Sequence, residues 1–161
     1  LKKSFKPRHY WDACTFLALL KKEEGKFEEC YRVIKAAEAG EIIILTSAIT
    51  FVEVIKLEKG QPRLPKKDVE EKIRAFFKHK WIIIREADRV IGESARELIW
   101  QHNLDPKDSI HVATAINNQA SVLETFDTEL LKLSGTMGDP LLPIRRPDYA
   151  MQLELDIFGM T

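Results

Sequence analysis

Three short apolar runs limit what this chain can fold into. They are Ile42-Ile43-Ile44-Leu45, Trp81-Ile82-Ile83-Ile84, and Val122-Leu123 within Ser121 to Thr125. Each is too short for a helix, rich in β-branched residues and apolar on both faces, which marks a strand covered on both sides. Between them the apolar residues change to helical spacing. Ala13, Phe16, Leu17 and Leu20 predict a helix from just after Asp12 to Lys22 or Gly25. Phe27, Cys30, Tyr31, Ile34 and Ala37 predict a second, stopped by Gly40. Further helices are expected over 50–58, 67–78, 88–102, 106–118 and 128–133, with a last strand over 141–144. The loop Gly60 to Pro65 breaks the pattern. Strands alternating with helices give an α/β fold with a mostly parallel sheet of four or five strands. In such sheets, sites lie beyond the carboxyl ends of the strands.

The length of 161 residues suits one domain. We assign it to residues 1–147. An acidic tail over 148–161, with Asp148, Glu154 and Asp156 and no Lys or Arg, is expected to pack on the domain or on a partner. Lys plus Arg and Asp plus Glu both number 25. Bulk positive charge is therefore excluded as the means of holding nucleic acid, and phosphate must be met by local patches or bound cations. Two basic stretches are available, Leu1 to Trp11 and Lys56 to Lys67, each with a net charge of +4. Two cysteines, Cys14 and Cys30, are too few for a disulfide scaffold and read as buried free thiols. The apolar runs of four or five residues fall far short of the ~20 of a membrane span. Leu1 to Trp11 lacks the apolar stretch of a signal peptide, so a cytoplasmic setting is expected. The chain begins at Leu1, and an initiator Met or a tag is expected to precede it.

Four acids sit near strand ends or helix starts: Asp12, Glu53, Asp108 and Asp127. Each has a structural explanation. Asp12 and Asp127 could be helix N-caps. Thr50 to Glu53 has capping-box spacing. Asp105-Pro106-Lys107-Asp108 fits a cap, a first-position Pro and an acid favoured by the helix dipole. Two points count against capping alone. Glu53 lies among Phe51, Val52, Val54 and Ile55, where an ionised carboxylate needs a cation or several donors. Four acids converging on one sheet edge would also raise one another's pKa values unless something positive sat between them. Magnesium and manganese prefer carboxylate and water oxygens.

These motifs resemble those of the PIN-domain nucleases, and among them the VapC-type toxin ribonucleases of toxin–antitoxin pairs. The matching stretches are Asp12 to Leu17, Thr46 to Glu53, Asp108 to Ala115 and Thr125 to Leu131. They occur in the family's order, and the resemblance spans roughly Arg8 to Pro147. It implies a PIN-like three-layer fold and a metal-dependent endoribonuclease, the toxin of such a pair. Asp12, Glu53 and Asp108 would hold a first Mg2+ or Mn2+ ion. Asp127, with Asp12 or Asp108, would assist a second, so the count is one or two ions. Thr125, two residues before Asp127, is placed to orient a carboxylate or a water. The implied partners are an RNA substrate, a cognate antitoxin protein and a second copy in a homodimer, with no membrane. The alternative is a catalytically weak PIN-like module that binds RNA or a protein. The sequence departs from the family in its first strand, Arg8-His9-Tyr10-Trp11, and at Cys14, where the family often has a polar residue.

Other chemistries find less support. His111 with Asp108 and Ser109 has triad residue types, but on one helix turn they cannot form a triad. His111 reads as structural or as a group acting through a neighbouring ligand. His9, His79 and His102 lack zinc spacing. Gly135 and Gly138 belong to no phosphate-binding loop. A phosphoaspartyl phosphatase would want an Asp where Cys14 stands. Trp11, Trp81 and Trp100 lie beside periodic apolar positions and read as core or interface.

Overall fold

The structure, a computed structural model, describes residues 5–55 and 67–149. The first basic stretch up to Ser4, most of the second (56–66) and the tail from Ala150 lie outside the described residues.

The first half comprises β1 (Arg8–Trp11), α1 (Ala13–Leu20), α2 (Phe27–Glu38), β2 (Ile43–Ser47), α3 (Thr50–Glu53) and α4 (Lys67–Phe76). The second half comprises β3 (Ile82–Arg85), α5 (Arg89–His102), α6 (Pro106–Asn117), β4 (Val122–Glu124), α7 (Thr128–Leu131) and β5 (Ile144–Arg145). The five strands form one sheet in the order β3-β2-β1-β4-β5. Every pairing is parallel, with Tyr10 opposite Leu45 on one side and Leu123 on the other. The α/β expectation holds, and the sheet is parallel throughout.

The alternation of side chains along β1 sorts the core into two layers. Trp11 packs with Phe16, Cys30, Val33, Ala37 and Ile44, beneath α1 and α2. Tyr10 points to the opposite face, against Val112 and Ala115 of α6 and Leu130 of α7. Ile91 and Ala95 seat α5 on Ala113 of α6. Helices therefore cover both faces, as a parallel sheet requires.

Two elements, α3 and β5, depart most from the sequence reading. The helix expected over 50–58 lasts one turn, to Glu53. At Val54 the backbone leaves helical geometry with ψ 74, and its side chain enters the core. Residues 56–58 lie outside the described residues. The last strand is Ile144–Arg145 instead of 141–144. Pro143 lacks an N–H, although its carbonyl accepts from Leu123 N at 2.9 Å. Trp100 is also not a core residue: it is 69% exposed, with Arg96 over its ring at 5.0 Å. Cys30 is buried and Cys14 half-buried, and both are free thiols. Among the described residues, no helix is long and apolar enough to cross a membrane.

The strand order places a topological switch between β1 and β4. The chain leaves β1 toward β2 and β3, then returns on β1's other side. The crevice past the carboxyl ends of these two strands is the expected ligand site. Asp12 follows β1 there, and Thr125 and Asp127 follow β4.

Candidate active site

Asp12 takes extended backbone geometry at the end of β1 and caps α1. Its Oδ1 accepts from Thr15 N at 3.2 Å, Thr15 Oγ1 at 2.9 Å and Cys14 Sγ at 3.0 Å. Its Oδ2 accepts from Thr125 Oγ1 at 2.5 Å. The same Thr125 oxygen accepts from Asp127 N at 3.0 Å. One hydroxyl thus ties the ends of two neighbouring strands and two acids together. Cys14 serves as a donor: burial first, and then Asp12, push its thiol up to about 12, so it stays protonated. Asp127 caps α7, its Oδ1 accepting from Glu129 N and Leu130 N. Asp12 and Asp127 are therefore helix caps, as their structural explanation requires. Capping uses only part of each carboxylate, because a carboxylate has about four acceptor positions.

Asp108 and Glu53 are different. Asp105 supplies the cap of α6 and Pro106 its first residue, which leaves Asp108 in the first turn with no capping duty. Among the described residues its carboxyl has no hydrogen bond. Its pKa is raised to about 6, first by burial and then by Asp127, Asp105 and Asp12. Asp12, Asp108 and Asp127 therefore share one electrostatic neighbourhood. The capping-box explanation fails for Glu53. Ile49 caps α3 without a side-chain bond, and Thr50 Oγ1 instead meets Thr46 Oγ1 at 2.7 Å. The Glu53 side chain turns inward, 15% exposed, and its Oε2 accepts from His111 Nε2 at 3.2 Å. Among the described residues its Oε1 is buried with no partner. A buried carboxylate oxygen without a donor calls for a cation or a proton.

Asp12, Asp108 and Asp127 are neighbours, and Glu53 is joined to α6 through His111, without a closed cage among the described residues. Among the described residues, no three His, Cys, Asp or Glu side chains are placed to hold an ion as they stand. Repulsion between uncompensated carboxylates works against closer approach. The sequence reading left out Tyr10 and Thr15. Thr15 lies three residues after Asp12, a spacing that signals a cap partner. Tyr10 OH meets His111 Nδ1 at 2.6 Å across 101 positions of chain, which no local pattern signals. Burial first, and then Asp12, raise the Tyr10 hydroxyl well above its usual value, so it keeps its proton.

The sequence matches the PIN domain family profile over residues 10–135. The chain belongs to the PIN-domain family. Three solved structures are similar to this PIN domain. One is a toxin–antitoxin complex from Klebsiella pneumoniae, with TM-score 0.61 and 22% identity over 88% of this chain and 99% of that one. Another is VapC20 from Mycobacterium tuberculosis, described as a sarcin–ricin loop cleaving toxin. It has TM-score 0.58 and 15% identity, over 74% of this chain and 90% of that one. The third is VapBC2 from Rickettsia felis, bound to a DNA fragment from their promoter. It has TM-score 0.62 and 17% identity, over 88% of this chain and 99% of that one. At these identities the likeness shows a shared fold. No curated protein matches the chain in sequence.

Proposed function

We propose that this PIN domain is a divalent-metal-dependent endoribonuclease, the toxin of a toxin–antitoxin pair. The observation that carries the reading is a carboxylate neighbourhood left short of positive charge. Burial and three neighbouring acids raise the Asp108 pKa, and among the described residues Glu53 keeps a buried oxygen with no partner. The donors are all carboxylate oxygens, which suits Mg2+ or Mn2+. Asp12, Glu53, Asp108 and Asp127 would hold one or two ions. When bound, such an ion supplies a water of lowered pKa and neutralises charge on the scissile phosphate.

The chain's own residues do the positioning. Thr125, Thr15 and Cys14 fix the Asp12 carboxylate by hydrogen bonds to both of its oxygens. Thr125 also holds the backbone of Asp127, so the two acids keep a set relation. Asp108 rides on α6, which is anchored to the sheet through Val112 and Ala115. RNA is the substrate in this reading, met through the ions and local basic residues. A protein partner belongs to it as well, both a cognate antitoxin and a second copy. Phe51, Val52 and Ile55 are exposed at and beside α3, an apolar surface of the kind a partner covers.

The test is RNA cleavage by wild type and Asp12→Asn in magnesium, manganese or EDTA. Cleavage in metal alone, lost in Asp12→Asn, is expected. Cleavage that persists in EDTA or in the variant would sink the metal–carboxylate reading. Tight RNA binding with no cleavage of structured or unstructured RNA would instead make the protein a binding module.

A further inference from the structure

We infer that His111, itself held by Tyr10, is the positioning residue that aims Glu53 into the acid cluster. The inference rests on the proposed role of Glu53 as a metal ligand. His111 lies one turn after Asp108 on α6, fully inside the fold, and both of its ring nitrogens are engaged. Nδ1 meets the Tyr10 hydroxyl at 2.6 Å, and Nε2 meets Glu53 Oε2 at 3.2 Å. Tyr10 also packs edge-on to the imidazole, at 5.7 Å and 68°. A carboxylate only accepts, so Nε2 carries the hydrogen toward Glu53. Nδ1 is then left to the tyrosine hydroxyl. Turning the ring over would forfeit both bonds, so its orientation is set from two sides.

Glu53 needs such a support. It ends a helix of one turn, and the backbone leaves helical geometry at the next residue. Its long side chain would otherwise sample several rotamers. Anchoring Oε2 on a ring fixed to β1 and α6 leaves Oε1 as the oxygen with no partner among the described residues. Tyr10, His111 and Glu53 thus come from a strand, a long helix and a short helix. The rigid pair orients the acid that its own element holds least firmly. A hydrogen-bonded partner of a ligating group typically changes metal affinity by about ten- to a hundredfold.

The experiment is a Mn2+ titration of the full chain by calorimetry, with folding followed by circular dichroism and melting in EDTA. His111→Leu should bind Mn2+ roughly ten- to a hundredfold more weakly. His111→Gln should recover most of that loss, because its amide nitrogen can donate in place of Nε2. A space-filling role alone would show no such rescue. Tyr10→Phe should weaken binding by less, since it acts through the ring. Folded His111→Leu with wild-type affinity would overturn the inference. If His111→Leu does not fold, Tyr10→Phe decides, and wild-type affinity in it overturns the relay. If Glu53→Gln itself binds Mn2+ like wild type, the ligand role of Glu53 fails first and takes the inference with it. Loss in Glu53→Gln with retention in folded His111→Leu rejects the positioning role alone.

Discussion

Glu124 and Glu53 each face a histidine inside the fold, and their surroundings differ in one respect. Glu124, at the end of β4, is fully buried, and both of its oxygens are filled. Oε1 accepts from His9 Nδ1 at 2.9 Å and Trp11 Nε1 at 3.0 Å, while Oε2 accepts from Asp148 N at 2.9 Å. Arg145 adds a cation 3.8 Å from Oε2. Among the described residues, the Glu53 side chain has one bond, from His111, and one buried oxygen with no partner. A buried acid whose acceptors are met by protein is part of the scaffold. One that keeps an unmet acceptor among the described residues is a candidate ligand, which is the role proposed for Glu53. Glu124 is the more buried of the two, yet Glu53 is the one whose hydrogen bonds are incomplete among the described residues.

The contrast breaks most visibly in activity. Glu53→Gln should lower RNA cleavage on the order of a thousandfold, since metal catalysis contributes several kcal/mol at the transition state. Its melting temperature in EDTA should hold or rise. A destabilised but active Glu53→Gln would place Glu53 with the scaffold.

Glu124→Ala should show the reverse. Leaving His9, Trp11 and the Asp148 N–H without their acceptor should cost about 3 kcal/mol in urea unfolding. Mn2+ binding by the folded fraction should be unchanged. A loss under about 1 kcal/mol, the net worth of one ordinary hydrogen bond, would erase the difference between the two glutamates.

Mn2+ at a hundred times its dissociation constant should stabilise the wild type by about 2.7 kcal/mol, read as a rise in melting temperature. Glu124→Ala should respond likewise, and Glu53→Gln much less. An unchanged wild-type melting point would leave the acid cluster without its counter-ion.

The smallest effect is expected at Asp108 in EDTA. Its folded pKa of about 6 exceeds the ordinary value of 3.8, so the folded state holds the proton more tightly than the unfolded one. This group therefore lowers stability as pH rises from about 4 to about 6, and the penalty is complete above that. Asp108→Asn should melt higher than wild type at pH 7.5 and equally at pH 4. A variant that melts lower at pH 7.5 would show Asp108 to be a stabilising partner instead.

Much of this was written locally. The runs at Ile43, Ile82 and Val122 and the helical spacing between them carry the layers, because short, β-branched runs apolar on both faces suit strands covered on both sides. The positions of Asp12, Asp108 and Asp127 at strand ends and helix starts were equally legible, being matters of the nearest few residues. The boundary at Glu53 was not. Helical spacing continued past it, and the end of α3 depends on Val54 reaching a core built by distant elements. Of the two places expected for Trp100, core or interface, its exposure removes the core, because apolar neighbours on one helix do not say which side the helix turns toward its neighbour.

The sequence by itself determined the parallel sheet, the end of the sheet where the acids gather and the residue types that gather there. These follow from periodicity and from chain direction. Only the tertiary structure decided which acids are satisfied. It joined Thr125 to Asp12 and Tyr10 to His111 across a hundred or more positions, gave both oxygens of Glu124 partners and, among the described residues, gave one of Glu53 none. Hydrogen bonds are settled at about 3 Å, and that scale exists only once distant segments have packed.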